Sequence, residues 1–180
     1  MKIPQAKIKR MILYFADHTD PNLLGKTKLM KLFYFTDFRH VKKYLTPITN
    51  DNYVNLEHGP VPSAIMNLVE AVENDIGDSV LGDTISVVER DGSNMKRIQT
   101  RRRFTEKDAE YFTKSELAIM DEICEIFKES TGKQIEDASH NESAWLKTDL
   151  GEFIPYSLGA EDSDSFVERG EIEAAMRIIQ

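Results

Sequence analysis

The stretch from about Thr27 to about Tyr44 constrains the fold more than any other. Leu29, Met30, Leu32, Phe33, Tyr34, Phe35, Phe38 and Val41 make it apolar nearly all round, and a helix apolar on every side is one buried among neighbours. Lys28, Lys31, Arg39, Lys42 and Lys43 give it only a narrow basic stripe. The preceding helix is amphipathic: Ile8, Met11, Ile12 and Phe15 fall at i, i+3, i+4 and i+7, with Lys7, Lys9 and Arg10 on or beside its outer face. Asp20-Pro21-Asn22 is the loop between them.

Beyond Pro47 the pattern changes. Tyr53 to Glu57 reads as a short strand leading into His58-Gly59-Pro60-Val61-Pro62, whose two prolines make a stiff, extended corner. Ser63 is placed to cap a helix through Ile65, Leu68, Val69 and Val72. Ile85, Val87 and Val88 form a strand, Asp91-Gly92-Ser93-Asn94 a turn, and Met95 to Phe104 the return strand. Alternation sets Ile98, Thr100, Arg102 and Phe104 on one face, and Arg97, Gln99, Arg101 and Arg103 on the wet one.

Ser115 then caps a helix carrying Leu117, Met120, Ile123, Cys124 and Phe127, with Gly132 as its stop signal. Short helices over Ile135–His140 and Ser143–Lys147 follow, then a loop or bridge at Gly151 to Pro155. Ser165 and Glu168 form a capping-box pair opening a last helix towards Ile179. The expected fold is a single α+β domain over 1–180, predominantly α-helical. Its helical core surrounds the buried second helix, with a small antiparallel β-hairpin or three-stranded sheet.

Charge narrows the function. The chain of 180 residues has a formal net charge of −8, which argues against a protein that coats nucleic acid. The total hides a gradient: +5 over residues 1–60, −1 over 61–105 and −12 over 106–180. Cys124, the single cysteine, excludes an internal disulfide and a four-cysteine zinc site. The apolar run Met11 to Ala16 is too short for a signal peptide, and no stretch approaches the roughly 20 apolar residues of a membrane span. A cytoplasmic protein is expected.

The candidate chemistry is sparse. Cys124 lies on the apolar stripe of its helix beside Glu122 and Glu125, which suits a buried structural thiol better than a nucleophile. His18, His40, His58 and His140 lack metal-ligand spacing. Asp37, His58 and His140 make an acid–base site only if the fold brings them into one pocket. Glu161-Asp162-Ser163-Asp164 lacks the glycine and distal glutamate of a calcium loop. Phosphate-loop, dinucleotide and serine-hydrolase motifs are absent. The basic helical pair mimics a helix-turn-helix, but its second helix has no broad polar face for a major groove. Arg101-Arg102-Arg103 reads as an intramolecular or partner contact.

Three stretches, in order and spacing, resemble one family. They are Lys28-Leu29-Met30-Lys31-Leu32-Phe33-Tyr34-Phe35-Thr36-Asp37, then His58-Gly59-Pro60-Val61-Pro62, then Ser139-His140-Asn141-Glu142-Ser143-Ala144-Trp145 with Gly151-Glu152-Phe153-Ile154-Pro155-Tyr156. Together they are similar to the Panacea, or SocA-like antitoxin, domain of bacterial and phage toxin–antitoxin operons, over about Ile8 to Tyr156. Residues 157–180 add an acidic loop and a C-terminal helix. The resemblance implies a mostly helical, non-enzymatic domain without cofactor that neutralises a co-encoded protein toxin by direct contact. In some members it implies an adaptor that delivers the toxin to a protease.

The motif positions this assigns are Tyr34, Asp37, His58, Gly59, Pro60, His140, Trp145, Pro155 and Tyr156, as core or binding residues. Trp145 suits the core, packed beneath the Gly59-Pro60 corner, better than an interface anchor. Thr36 stands where relatives commonly have a small residue such as Ala. The chain carries no separate DNA-binding module, so regulation through DNA is not expected. Candidate contacts to a basic toxin surface are Glu161, Asp162, Asp164, Glu168 and Glu171. The alternatives are a DNA-binding regulator using the basic helical front and a small enzyme using Asp37, His58 and His140.

Overall fold

The computed structural model describes residues 3–77, 79–90 and 93–179. Its second helix, α2 (Lys26–Tyr44), has fourteen of its nineteen residues buried. Cover comes from α1 (Gln5–His18), β2 (Gly59–Pro62), α3 (Ser63–Glu73), β4 (Ser93–Thr100), α5 (Lys114–Phe127), α6 (Gly132–Ser139) and a 3₁₀ helix (Tyr156–Glu161), all of which touch α2. Ile8, Met11, Ile12 and Phe15 of α1 are fully buried, as their spacing requires.

The fold is α+β and predominantly helical, and both of the small sheet forms anticipated are present. One sheet has three antiparallel strands in the order β2-β1-β5, from β1 (Tyr53–Leu56), β2 and β5 (Phe153–Ile154). The other is the antiparallel pair β3 (Ile85–Arg90) and β4. Short helices α4 (Glu106–Ala109) and α7 (Ser143–Leu146) and the terminal α8 (Arg169–Ile179) complete the order.

The stripe of lysines on α2 is not an exposed edge. Lys28, Lys31 and Lys42 are 0%, 1% and 3% exposed, because each ammonium finds oxygen inside: Lys128 O, Pro60 O and a group of carboxylates respectively. Arg39 and Lys43 instead reach Glu122 at the surface of α5.

Several boundaries differ from the sequence reading. Ser63 is the first residue of α3 rather than its cap, and the Asp51 carboxylate accepts from Ala64 N and Ile65 N instead. Thr113, not Ser115, caps α5 through a capping box with Glu116. Gly132 opens α6 rather than ending α5, and Thr131 caps α6 in a box with Gln134. The return strand stops at Thr100, where Arg101 N turns to Thr84 O, and Arg102 grips Asp108 through Nη1 and Nη2. Asp91 and Gly92 of the expected turn lie outside the described residues. Ser165 holds a local turn at Val167, and Glu171 accepts from Glu168 N to open α8. The expected bridge at Gly151 to Pro155 contains β5, the strand that completes the larger sheet.

Candidate functional site

Polar residues of the three motif stretches join others outside them in clusters that tie α2 to later parts of the chain. In the first, Asp37 is 0% exposed. Its Oδ1 accepts from Ile48 N at 2.8 Å and Thr49 N at 2.9 Å. Its Oδ2 accepts from Tyr53 OH at 2.9 Å and from the Thr49 hydroxyl. Tyr156 OH lies 3.3 Å from the same oxygen and 2.8 Å from Asp51 O. It has one proton, so it donates to the nearer carbonyl. Burial pushes the Asp37 carboxyl up, while hydrogen bonds from Thr49, Ile48 and Tyr53 pull it back. Burial, then the Asp37 charge, raises Tyr53 and Tyr156 well above the ordinary phenol value. A cleft of about 610 Å³ opens beside this hub, lined in part by Asp51, Tyr53, Phe153, Tyr156 and Met176.

The second cluster is the Pro-rich corner. Lys31 Nζ donates to Pro60 O at 2.9 Å, and burial brings its ammonium down to about 8. Gly59 has φ +87°, and a Cβ there would stand 2.6 Å from Ser139 Oγ. Glycine is therefore required twice, by conformation and by space. His58 beside it is exposed, with Nδ1 3.4 Å from Glu136 Oε1.

Lys42 centres the third. Its Nζ meets Glu142 at 2.7 Å, Asp162 at 2.8 Å and Asp164 at 3.0 Å. Burial, opposed by Lys42 and helped by Asp162, pushes the Glu142 carboxyl up to about 7. Ser143 N donates to Asp162, and Phe166 N to Lys42 O, so α7 and the approach to α8 are fastened to α2 here. The Tyr34 hydroxyl lies near these carboxylates, fully buried and without a partner among the described residues.

His140 stacks on Trp145 with ring centroids 4.1 Å apart. Trp145 is half-buried, between fully buried Ala144 and exposed Leu146. The space under Gly59 is filled by Lys31 and Ser139, not by the indole. Pro155 is exposed, between β5 and the 3₁₀ helix.

The acidic C-terminal residues divide into two groups. Glu161 pairs with Lys147 and Arg169, while Asp162 and Asp164 belong to the Lys42 cluster. Glu168 and Glu171 are exposed at the start of α8.

Asp37, His58 and His140 do not converge. Asp37 is enclosed in its own hub, His58 meets Glu136 at the surface, and His140 faces Trp145. The large cleft is lined by none of them. Cys124 is 1% exposed, and burial, reinforced by Asp121, pushes its thiol up to about 12, away from the thiolate a nucleophile needs. With three of its lysines turned inward, α2 presents no basic face to a DNA groove. No described helix is long and apolar enough to cross a membrane.

Sequence reasoning picked out Asp37, Gly59 and Tyr156 but missed Thr49 and Asp51, which complete the first hub, and the pairing of Lys42 with Glu142. Asp51 carries no local signal for this cap, because the helix amides it accepts from lie thirteen and fourteen residues further along the chain.

No curated protein and no solved structure matches the chain. A family model described as "Antitoxin SocA-like, Panacea domain" matches residues 29–146. That span runs from the first turn of α2 to the end of α7, taking in the Pro-rich corner and the Lys42–Glu142 pair. The chain belongs to the SocA-like antitoxin, Panacea-domain family.

Proposed function

We infer that this protein is an antitoxin that works in the cytoplasm by binding rather than by catalysis, covering the active or substrate-binding surface of a co-encoded protein toxin. The observation that carries this reading is the family match over residues 29–146. Its polar clusters support a binding role, since their donors and acceptors are largely satisfied by one another and hold the fold's corners in place. The acidic stretch over residues 106–180 gives complementarity to a basic toxin surface. Of the acidic candidates, Glu168 and Glu171 are the two best placed to contact it, because Glu161, Asp162 and Asp164 already have cationic partners within the chain.

The test is co-expression with the product of the adjacent open reading frame. The expected result is a neighbour that arrests growth alone, is harmless in the presence of this chain, and co-purifies with it. A neighbour that is harmless alone and forms no complex overturns the reading.

A further inference from the structure

A groove of about 350 Å³ lies between α2, α5 and α6. Its apolar lining comes from Phe35 of α2, from Ile123, Ile126 and Phe127 of α5, and from Ala138 of α6. The rings of Phe35 and Phe127 rest on each other, with centroids 4.6 Å apart. Ile126 is 59% exposed although it lines the groove. The same groove is lined by three carboxylates, those of Glu122, Glu142 and Asp164.

These carboxylates belong to one network of ion pairs. Arg39, Lys42 and Lys43 are joined there to Glu122, Glu142, Asp162 and Asp164, which is three cations against four carboxylates. Lys42, which holds three of the four, has a side chain only 3% exposed, whereas those of Asp164, Glu122 and Glu142 are 47%, 29% and 21% exposed. The oxygens are thus more open to a newcomer than the central nitrogen. Pairing within the chain does not exhaust them either. Asp164 gives one oxygen to Lys42 and the other to Arg39, and an ionised carboxylate has about four acceptor positions.

The lining selects the occupant. An apolar groove bordered by carboxylates complements a long side chain with an alkyl stem and a cationic head, and phenyl faces add to the attraction for a cation. A purely apolar anchor would strip water from the carboxylates and return nothing to them, and an acidic one would be repelled. A second copy would bring its own net charge of −8 against the first. We propose that this groove is a socket for a lysine or arginine side chain of a partner protein. Its stem lies along Ile126 and Phe127, and its head is set among Asp164, Glu142 and Glu122. This inference rests on the antitoxin reading and adds one specific anchor to the contacts of Glu168 and Glu171.

The experiment titrates the adjacent-frame product into wild type and three variants, with thermal melts of each chain. Ile126→Arg tethers a guanidinium over the groove, and Asp164→Asn removes one of its carboxylates. Ile178→Arg makes the charge change of Ile126→Arg at an 85% exposed residue outside the groove. The expected affinity is at least about tenfold weaker for Ile126→Arg, about three- to tenfold weaker for Asp164→Asn, and within about twofold of wild type for Ile178→Arg. Melting midpoints should stay close to wild type, and Ile126→Arg carries the test if Asp164→Asn melts early. Replacing the partner's lysines and arginines singly by methionine should find one whose loss weakens wild type about tenfold but Asp164→Asn much less, as direct contact requires. Binding within about threefold of wild type in both groove variants overturns the socket and leaves the antitoxin reading standing. So does equal weakening by Ile178→Arg, or a scan in which no basic residue couples to Asp164. Wild type that does not bind overturns both. A wild-type dimer in sedimentation that Ile126→Arg converts to monomer gives the groove to a second copy and overturns the proposal.

Discussion

Lys42 Nζ lies 2.7 Å from a carboxylate oxygen of Glu142, with only 3% of the lysine side chain exposed. The two residues are 100 positions apart, and the same ammonium also holds Asp162 and Asp164. One buried cation therefore offsets several carboxylates, and the consequences of removing either partner differ.

Lys42→Met leaves Glu142 and Asp162 facing each other without a counter-charge. It should destabilise the fold by about 3–5 kcal/mol. Adding Glu142→Gln to Lys42→Met should recover part of that loss, because the repulsion falls. Urea unfolding of the two variants against wild type reads both numbers, and a double variant no more stable than Lys42→Met would refute the account.

Glu142 gives stability a pH dependence of definite sign. Its carboxyl moves from the ordinary 4.5 to about 7 in the fold, so the native state holds a proton that the unfolded chain has released. Stability from this group falls as pH rises between those values and is level above them. The fall should amount to about 1–3 kcal/mol, discounted for the coupling to Lys42. Glu142→Gln should lack it, so the stability difference between wild type and variant should shift against wild type from pH 5 to pH 7.5.

Asp37→Ala removes the acceptor for Ile48 N, Thr49 N, the Thr49 hydroxyl and Tyr53 OH at once. A cost of about 3–5 kcal/mol is expected. Tyr156→Phe, whose hydroxyl bonds mainly Asp51 O, should cost only about 1 kcal/mol. Chemical denaturation separates the two, and equal losses would mean that the hub is not organised around Asp37.

Gly59→Ala meets both a positive φ and Ser139 Oγ. The expected loss is about 2–3 kcal/mol. Adding Ser139→Ala should restore the part due to the clash and leave the backbone strain. Thermal melts of the single and double variants measure the split.

The legible features were those with a local cause. The burial of α2 follows from its own eight apolar residues, whereas Gly59 is visible only as a motif position that the family resemblance implies, and the reason for it, Ser139 beneath it, is a distant one. Thr113 with Glu116, and Thr131 with Gln134, fit the capping-box spacing, so those helix starts were open to the same reasoning. Lys28, Lys31 and Lys42 were not legible as buried residues. A lysine enters a core only where an oxygen waits for it, and here those oxygens come from Lys128, Pro60 and the segment containing Glu142 and Asp162. The cap on α3 was hidden for the same reason, since Asp51 reaches it through space. Of the candidate site, motif residues were visible as types, but which of them meet was set by these distant pairings.

The three buried lysines of α2 also carry a consequence for biosynthesis. They close on Pro60, on Lys128 and on a cluster that extends to Asp164. A ribosome making this chain releases its most deeply buried helix among the first fifty residues but supplies the last of its partners only after Asp164 has emerged. For most of translation that helix has no complete cover, so the nascent chain is most exposed to aggregation before its final turns are made.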